Sequence, residues 1–384
     1  MFLVLLVRLN IRGFTPAIVE SGAKIARACF KTRYRWKEKH PQKALSPSNY
    51  LHNPKEVHTF AVTNPTTLLV RKASAPGWDF VLYIPFMRYT KQTITIDEQI
   101  QTLQDRGLMI ADIAHAKAIL ERISYFRLAD YWRPFEIDKV THQFAPGVHF
   151  NGIVKAYDFD KELKILLFSA IQTIEVAVRA KVIKYFSPTA GPFWFMDENQ
   201  ALNSAHFHSN LTHVRAEVAR SKEAYIKEHF LKYDAPDLPP VWKTLEVVSL
   251  GTLSKLFSNF SDKDAKDLVA TDFRLPQHIV LESWLECLTS LRNYIAHHAR
   301  IWNRRFPQKP ELLRRSRSPW ISNRPSQLFK LYPILCCITY WLNAIDASNT
   351  FVTAFKALLM KYPNVDTSAM GFPAGWENEP LWQS

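Results

Sequence analysis

Between about Asn151 and Phe186 the chain sets Ile153, Tyr157, Leu163, Leu167, Ile171, Ile174, Val178 and Val182 at intervals near three and four. Side chains spaced in this way share one face when each residue turns the chain through about 100°, as in an α-helix. A helix of that length runs on the order of 50 Å. Its apolar stripe is stable in water only when other helices cover it. This one segment therefore predicts a long amphipathic helix, and Pro188 and Gly191 punctuate its end.

The flanking sequence supplies candidates for the covering helices. In IDEQIQTLQDRG, Ile96, Ile100 and Leu103 align on one face, and Gly107 is a natural C-cap. Residues 112–129 carry a second stripe of Ile113, Ala116, Ile119, Leu120 and Ile123, with a stop at Pro134. The aromatic, turn-rich stretch 135–150 reads as a small hairpin. A more polar helix is predicted over 204–230, followed by the stiff connection YDAPDLPP. Beyond Pro240 come a helix with Leu245, Val248, Leu253 and Leu256, a short one over 262–269, and a break at Pro276. The helix HIVLESWLECLTSLRNYIAHHARIW follows, then two more over 327–345 and 349–361. The tail GFPAGWENEPLW is expected to dock, because burying its large rings is favourable. No strand–turn–helix with phosphate-binding glycines occurs, which argues against a nucleotide-binding α/β domain. The expected class is all-α.

Residues 1–86 differ in character. They hold thirteen Lys or Arg against four Asp or Glu, whereas the rest of the chain holds 36 against 31. Most of the overall charge of +14 thus lies in a basic, proline-bearing extension without clear period. The charge alone is accordingly weak support for a nucleic-acid partner. Regular patterning begins after Met87, and we expect Met87 to be the natural start, with 87–384 as the helical domain; a basic arm that helps hold RNA is the alternative. The opening MFLVLLVRLNIRG lacks the basic start and cleavage site of a secretory signal, and no run is long enough to span a bilayer. The four scattered cysteines, Cys29, Cys287, Cys336 and Cys337, fit neither a disulfide scaffold nor a zinc knuckle. A cytoplasmic protein without membrane contact, metal or cofactor is expected.

The segment from Arg292 to Arg304 concentrates nitrogen-bearing side chains late in an otherwise apolar helix. On a helix Arg292 and His297 stand about 140° apart, so they can flank a groove beside it. Histidine accepts and donates protons near neutrality. Arginine grips a phosphate bidentately and stabilises charge on the crowded phosphorus. RNA supplies a nucleophile, its 2′-hydroxyl, so the set suits metal-independent RNA cleavage to a 2′,3′-cyclic phosphate and a 5′-hydroxyl. Asn293 is placed to orient the histidine or the phosphate. The competing reading is a capping and salt-bridge cluster.

RNYIAHHARIWNRRF is similar to the signature of the Abi-like proteins of bacterial abortive infection, the AbiD and AbiF group, within the HEPN superfamily of helical ribonucleases. ITIDEQIQTLQDRGLMI, ERISYFRLADYWRPF, IEVAVRAKV, VVSLGTLSKLFSNF and MGFPAGWENEPLW resemble that family in the same order, so that the resemblance spans about 88–384. It implies a HEPN-like helical bundle with additional N-terminal helices and a catalytic core over about 151–345. The superfamily motif is an arginine, a polar residue and then a histidine four to six positions after the arginine, filled here by Arg292, Asn293 and His297. His298 also falls in that window. The resemblance implies an endoribonuclease of phage defence that works as a homodimer with two motifs facing each other. The alternative is a non-catalytic RNA-binding member regulated by a small non-coding RNA; a third reading is a structural helical protein.

Secondary candidates follow. Glu175 and Arg179, four apart, are either a brace for the motif, as the resemblance implies, or members of the site. Arg300 and Arg304 either contact RNA backbone or form a solvated basic helix end. Tyr125, Phe126, Arg127, Tyr131, Trp132 and Arg133 suit base stacking or, by their helical spacing, ordinary core packing. His206, His208 and His213 are expected on the surface rather than at a metal.

Overall fold

The computed structural model describes residues 58–64, 67–72, 89–316 and 318–383. The expected start at Met87 and the apolar run WDFVLYIPF lie outside the described residues. The chain divides into two units, 1–93 and 94–384.

In the first unit, β1 (His58–Asn64) pairs antiparallel with β2 (Thr67–Lys72), with His58 opposite Lys72 and Phe60 opposite Val70. The all-α expectation therefore holds for the second unit only. Six or seven residues are too few for a period of two to stand out from the surrounding basic and proline-bearing sequence.

The second unit is built on twelve helices among the described residues. They are α1 (Ile96–Asp105), α2 (Ile113–Arg122), α3 (Tyr125–Trp132), α4 (Phe150–Ala190), α5 (Ser204–Arg220), α6 (Ala224–Lys232), α7 (Val241–Val247), α8 (Leu250–Asn259), α9 (Lys263–Asp272), α10 (His278–Ala296), α11 (Leu331–Ile345) and α12 (Phe351–Lys361). The 41-residue α4 is the axis. It packs against α3, α7, α8, α9, α10, α11 and α12. Phe159, Leu163, Leu167, Ile174, Val178, Val182 and Phe186 are wholly enclosed along it. Asp160 and Lys164 are also buried in that stripe, one turn apart.

Three predicted helices are each two, and in every case local polar groups make the break. The stretch 112–129 divides at Ile123, which is extended, before Ser124 caps α3 through the Arg127 N–H at 3.3 Å. Residues 204–230 divide at Ser221–Glu223. The run after Pro240 divides at Val248, where Ser249 caps α8 by accepting from the Thr252 N–H. Serine side chains offer the backbone a partner that competes with helix continuation. The stretch 135–150 carries a short antiparallel bridge, Glu136 opposite Phe144, in keeping with the expected hairpin turn. The tail docks as expected. Phe372, Trp376 and Trp382 are buried, and Phe372 lies 4.6 Å from Tyr332 of α11 between ring centres.

Candidate active site

The motif helix α10 is shorter than its sequence pattern implied. It ends at Ala296, so that His298, Arg300 and Arg304 lie in a turn beyond it. The stop is a Schellman motif: the His298 N–H donates to the Ile295 carbonyl at 2.9 Å, and the Ala299 N–H donates to the Tyr294 carbonyl at 2.9 Å. That motif demands a left-handed residue, a role usually taken by glycine. Here it is His298, with φ of 54°. A non-glycine residue in this region costs roughly 1–2 kcal/mol, and such local cost concentrates where side chains serve a purpose.

Beyond the stop, the backbone is tied down from behind by a buried carboxylate. Asp160 is fully enclosed and accepts from the Trp302 N–H at 2.6 Å, the Ile301 N–H at 3.1 Å and the Tyr131 hydroxyl at 2.6 Å. Lys164 pairs with it at 3.1 Å. The same ammonium reaches the carbonyls of His298 and Ala299, each at 3.5 Å, while Arg127 Nη1 donates to the His298 carbonyl at 2.7 Å. Burial, with the Asp160 charge beside it, pushes the Tyr131 phenol far above its ordinary range, so its proton stays on the oxygen. A charge sealed from water is tolerable only with such a full set of partners.

The motif side chains contrast with this clamp. Arg292 is half-buried, while Asn293, His297 and His298 are exposed. Among the described residues, none of these four side chains carries a hydrogen bond or ion pair. Arg292 and His297 thus sit at the end of one helix, fixed at the backbone and free at their functional groups. Guanidinium and imidazole in that state can accept a phosphodiester without first breaking an internal contact.

Residues 118–303, from α2 through the clamped turn, match the family described as Abi-like protein. No curated protein and no solved structure matches the chain. The matched region contains both the segment 292–298 and the residues that hold the turn after it, Arg127, Tyr131, Asp160 and Lys164.

The remaining candidates are dispersed around this centre. Glu175 and Arg179 form an ion pair with each other, and Arg179 Nη2 donates to the Val248 carbonyl at 2.8 Å. The pair ties α4 to the entry of α8. There Gly251 abuts the Thr289 side chain of α10, one turn before Arg292, and a Cβ at Gly251 would stand 3.4 Å from the Thr289 methyl. Arg300 Nη1 donates to the carbonyls of Trp302 and Asn303, and burial and the charge of Arg304 hold its guanidinium below its ordinary value. Arg304 donates to the Arg300 carbonyl and lies 4.3 Å over the Tyr294 ring. Of the aromatic stretch, Tyr131 and Trp132 are core residues, whereas Phe126 is 78% exposed. His206, His208 and His213 are exposed, and among the described residues no group of three or more His, Cys, Asp or Glu is placed to hold a metal ion. Nor is any described helix long and apolar enough to cross a membrane.

The clamp escaped the sequence reading. Asp160 and Lys164 lie in register with Leu163 and Leu167, so charged residues at core positions were the available signal. Charged side chains are almost never fully buried unless paired, and i,i+4 spacing of opposite charges on an apolar stripe meets that condition.

Proposed function

We propose that the protein is a HEPN-like endoribonuclease of abortive infection that cuts RNA without a metal. The reading is supported above all by Arg292 and His297, free of internal partners at the end of a helix whose following turn is locked by Asp160. The His297 imidazole takes the proton of a 2′-hydroxyl, and that oxygen attacks the adjacent phosphorus. The bond to the 5′-oxygen breaks, and the departing oxygen leaves with a proton as the 5′-hydroxyl. The product strand ends in a 2′,3′-cyclic phosphate. Arg292 stabilises the charge that builds on the phosphoryl oxygens, and Asn293 orients the phosphate or the imidazole. His298 is the alternate base, and Glu175 with Arg179 supports the motif helix through α8.

Dimerisation belongs to the same reading. On the outer side of α4, Ile165, Phe168 and Val176 are 64%, 48% and 55% exposed. A second copy would bury this stripe and bring two motifs together.

The test is expression in cells of wild type beside Arg292→Ala, His297→Ala and His298→Ala, with RNA 3′ ends mapped. Wild type yields cyclic phosphate ends and growth arrest, and Arg292→Ala and His297→Ala abolish both while the protein stays folded. Equal cleavage by all of them removes the site. RNA that is retained but uncut by wild type favours the non-catalytic reading, in which a small RNA regulates an Abi-like binder.

A further inference from the structure

Where Arg300 leaves the turn, an open cleft of about 580 Å³ is lined by Arg133, Lys139, His142, Arg300 and Asn303, with Glu136 its single carboxylate. That carboxylate is already engaged by His142 Nδ1 at 3.1 Å and faces Lys139 at 3.9 Å. Arg133 has Asp130 at 3.6 Å, and Asp160, on the inner side of Arg300, is committed to the clamp. Lys330 adds a further cation through its hydrogen bond to Asn303 Oδ1 at 2.8 Å. Burial, with Arg300 and Arg305 nearby, holds the Lys330 ammonium below its ordinary value, and Arg300 is held down by burial and Arg304. Lys139 Nζ also donates to the Arg133 carbonyl and to the Glu136 carbonyl at 2.8 Å, yet the cleft wall itself carries Arg133, Lys139 and Arg300 against one carboxylate.

A second feature indicates what completes the cluster. The Arg133 guanidinium lies 6.0 Å from the ring centre of Phe126, and that ring is 78% exposed at the outer end of α3. An exposed aromatic beside an arginine offers a nucleobase a face to stack on, next to a site for its phosphate. Arg300 follows His297 by three residues, so the cleft adjoins the motif within roughly 10 Å of chain.

We propose that this cleft is a nucleotide subsite, which takes a phosphate among Arg133, Lys139, Arg300 and Lys330 and a base on Phe126. The phosphate is that of an RNA nucleotide near the cut or of a free nucleotide. The first source rests on the ribonuclease reading; the phosphate site does not.

The experiment uses the full chain and a labelled single-stranded oligoribonucleotide with 2′-O-methyl at every position, which the proposed chemistry cannot cut. Fluorescence anisotropy is followed over a salt titration, with AMP in a parallel arm by calorimetry. The Arg133 and Lys139 side chains are 52% and 62% exposed, so the double variant Arg133→Gln/Lys139→Gln keeps the fold, and its circular dichroism melt checks this. The double variant is expected to bind the oligomer at least tenfold more weakly, with the log–log salt slope smaller by about 1.4 for two lost contacts. Phe126→Ala is expected to weaken binding roughly tenfold at an unchanged slope. Binding of the oligomer assigns the strand as the source; binding of AMP alone, lost in the same variants, assigns the free nucleotide. Failure of wild type to bind either, or equal binding by wild type and the folded double variant, overturns the subsite. Because the oligomer is uncuttable, a failure of the cleavage chemistry leaves this readout intact.

Discussion

The backbone from His298 to Trp302 and the side chains of Arg292, Asn293 and His297 are held by opposite means. The former is clamped by Asp160, Lys164, Tyr131 and Arg127, every one of them hydrogen-bonded to the turn or to a neighbour in the clamp. The latter have no side-chain partner among the described residues. The difference teaches how a small site obtains precision: rigidity is concentrated in the buried polar network behind the turn, and the groups that would meet a phosphodiester stay uncommitted. Stability and activity should therefore separate cleanly between the two regions.

The largest effect belongs to the clamp. Asp160→Ala strands the Lys164 charge, the Tyr131 hydroxyl and two N–H donors, and unfolding in urea is expected to show a loss of about 3–5 kcal/mol. A loss below 1 kcal/mol would break the contrast between the regions. Tyr131→Phe removes one hydrogen bond to the carboxylate and is expected to cost roughly 1.5–3 kcal/mol near neutrality. Its pH dependence sharpens the point. Because burial and Asp160 raise the folded-state phenol above its ordinary value of 10, folded and unfolded chains both keep the proton below pH 10. Above it the unfolded chain alone ionises, so this part of the stability is lost as pH rises further. Tyr131→Phe should accordingly lose about 1.2 kcal/mol less stability than wild type between pH 9.5 and 11.

Smaller effects are expected on the other side. His298→Gly suits the left-handed position and should raise stability by up to about 1 kcal/mol, as a thermal melt would show. If cleavage survives that change, His297 is the acting base. Arg292→Ala and His297→Ala should leave unfolding free energy within about 0.5 kcal/mol of wild type. A larger loss in either would mean that the side chain serves the fold after all.

Much of this architecture was legible from residue spacing. The stripe from Ile153 to Val182 set the axis, Gly107 and Gly191 marked helix ends, and the rings of the tail foretold its docking. What spacing could not reveal were the interruptions and the clamp. Ser124 and Ser249 break helices by a hydrogen bond that a periodicity argument does not weigh. The end of α10 at Ala296 depends on His298 adopting a conformation that its identity disfavours. Asp160 and Lys164 are buried with partners some 140 positions away, and their i,i+4 spacing on the apolar stripe signals a paired charge in the core but not what the pair holds. The nitrogen-rich segment at 292–304 was visible at once, yet its division into a free motif and a clamped turn required the structure.

Attack by the 2′-hydroxyl is tested by offering the purified protein a short RNA beside the same strand carrying a single 2′-deoxy sugar at the mapped cut. The RNA is expected to be cut to a cyclic phosphate end, and the 2′-deoxy strand to stay intact at that position. Cleavage of the 2′-deoxy strand there, or equal cutting of RNA by folded His297→Ala/His298→Ala protein, would contradict this mechanism.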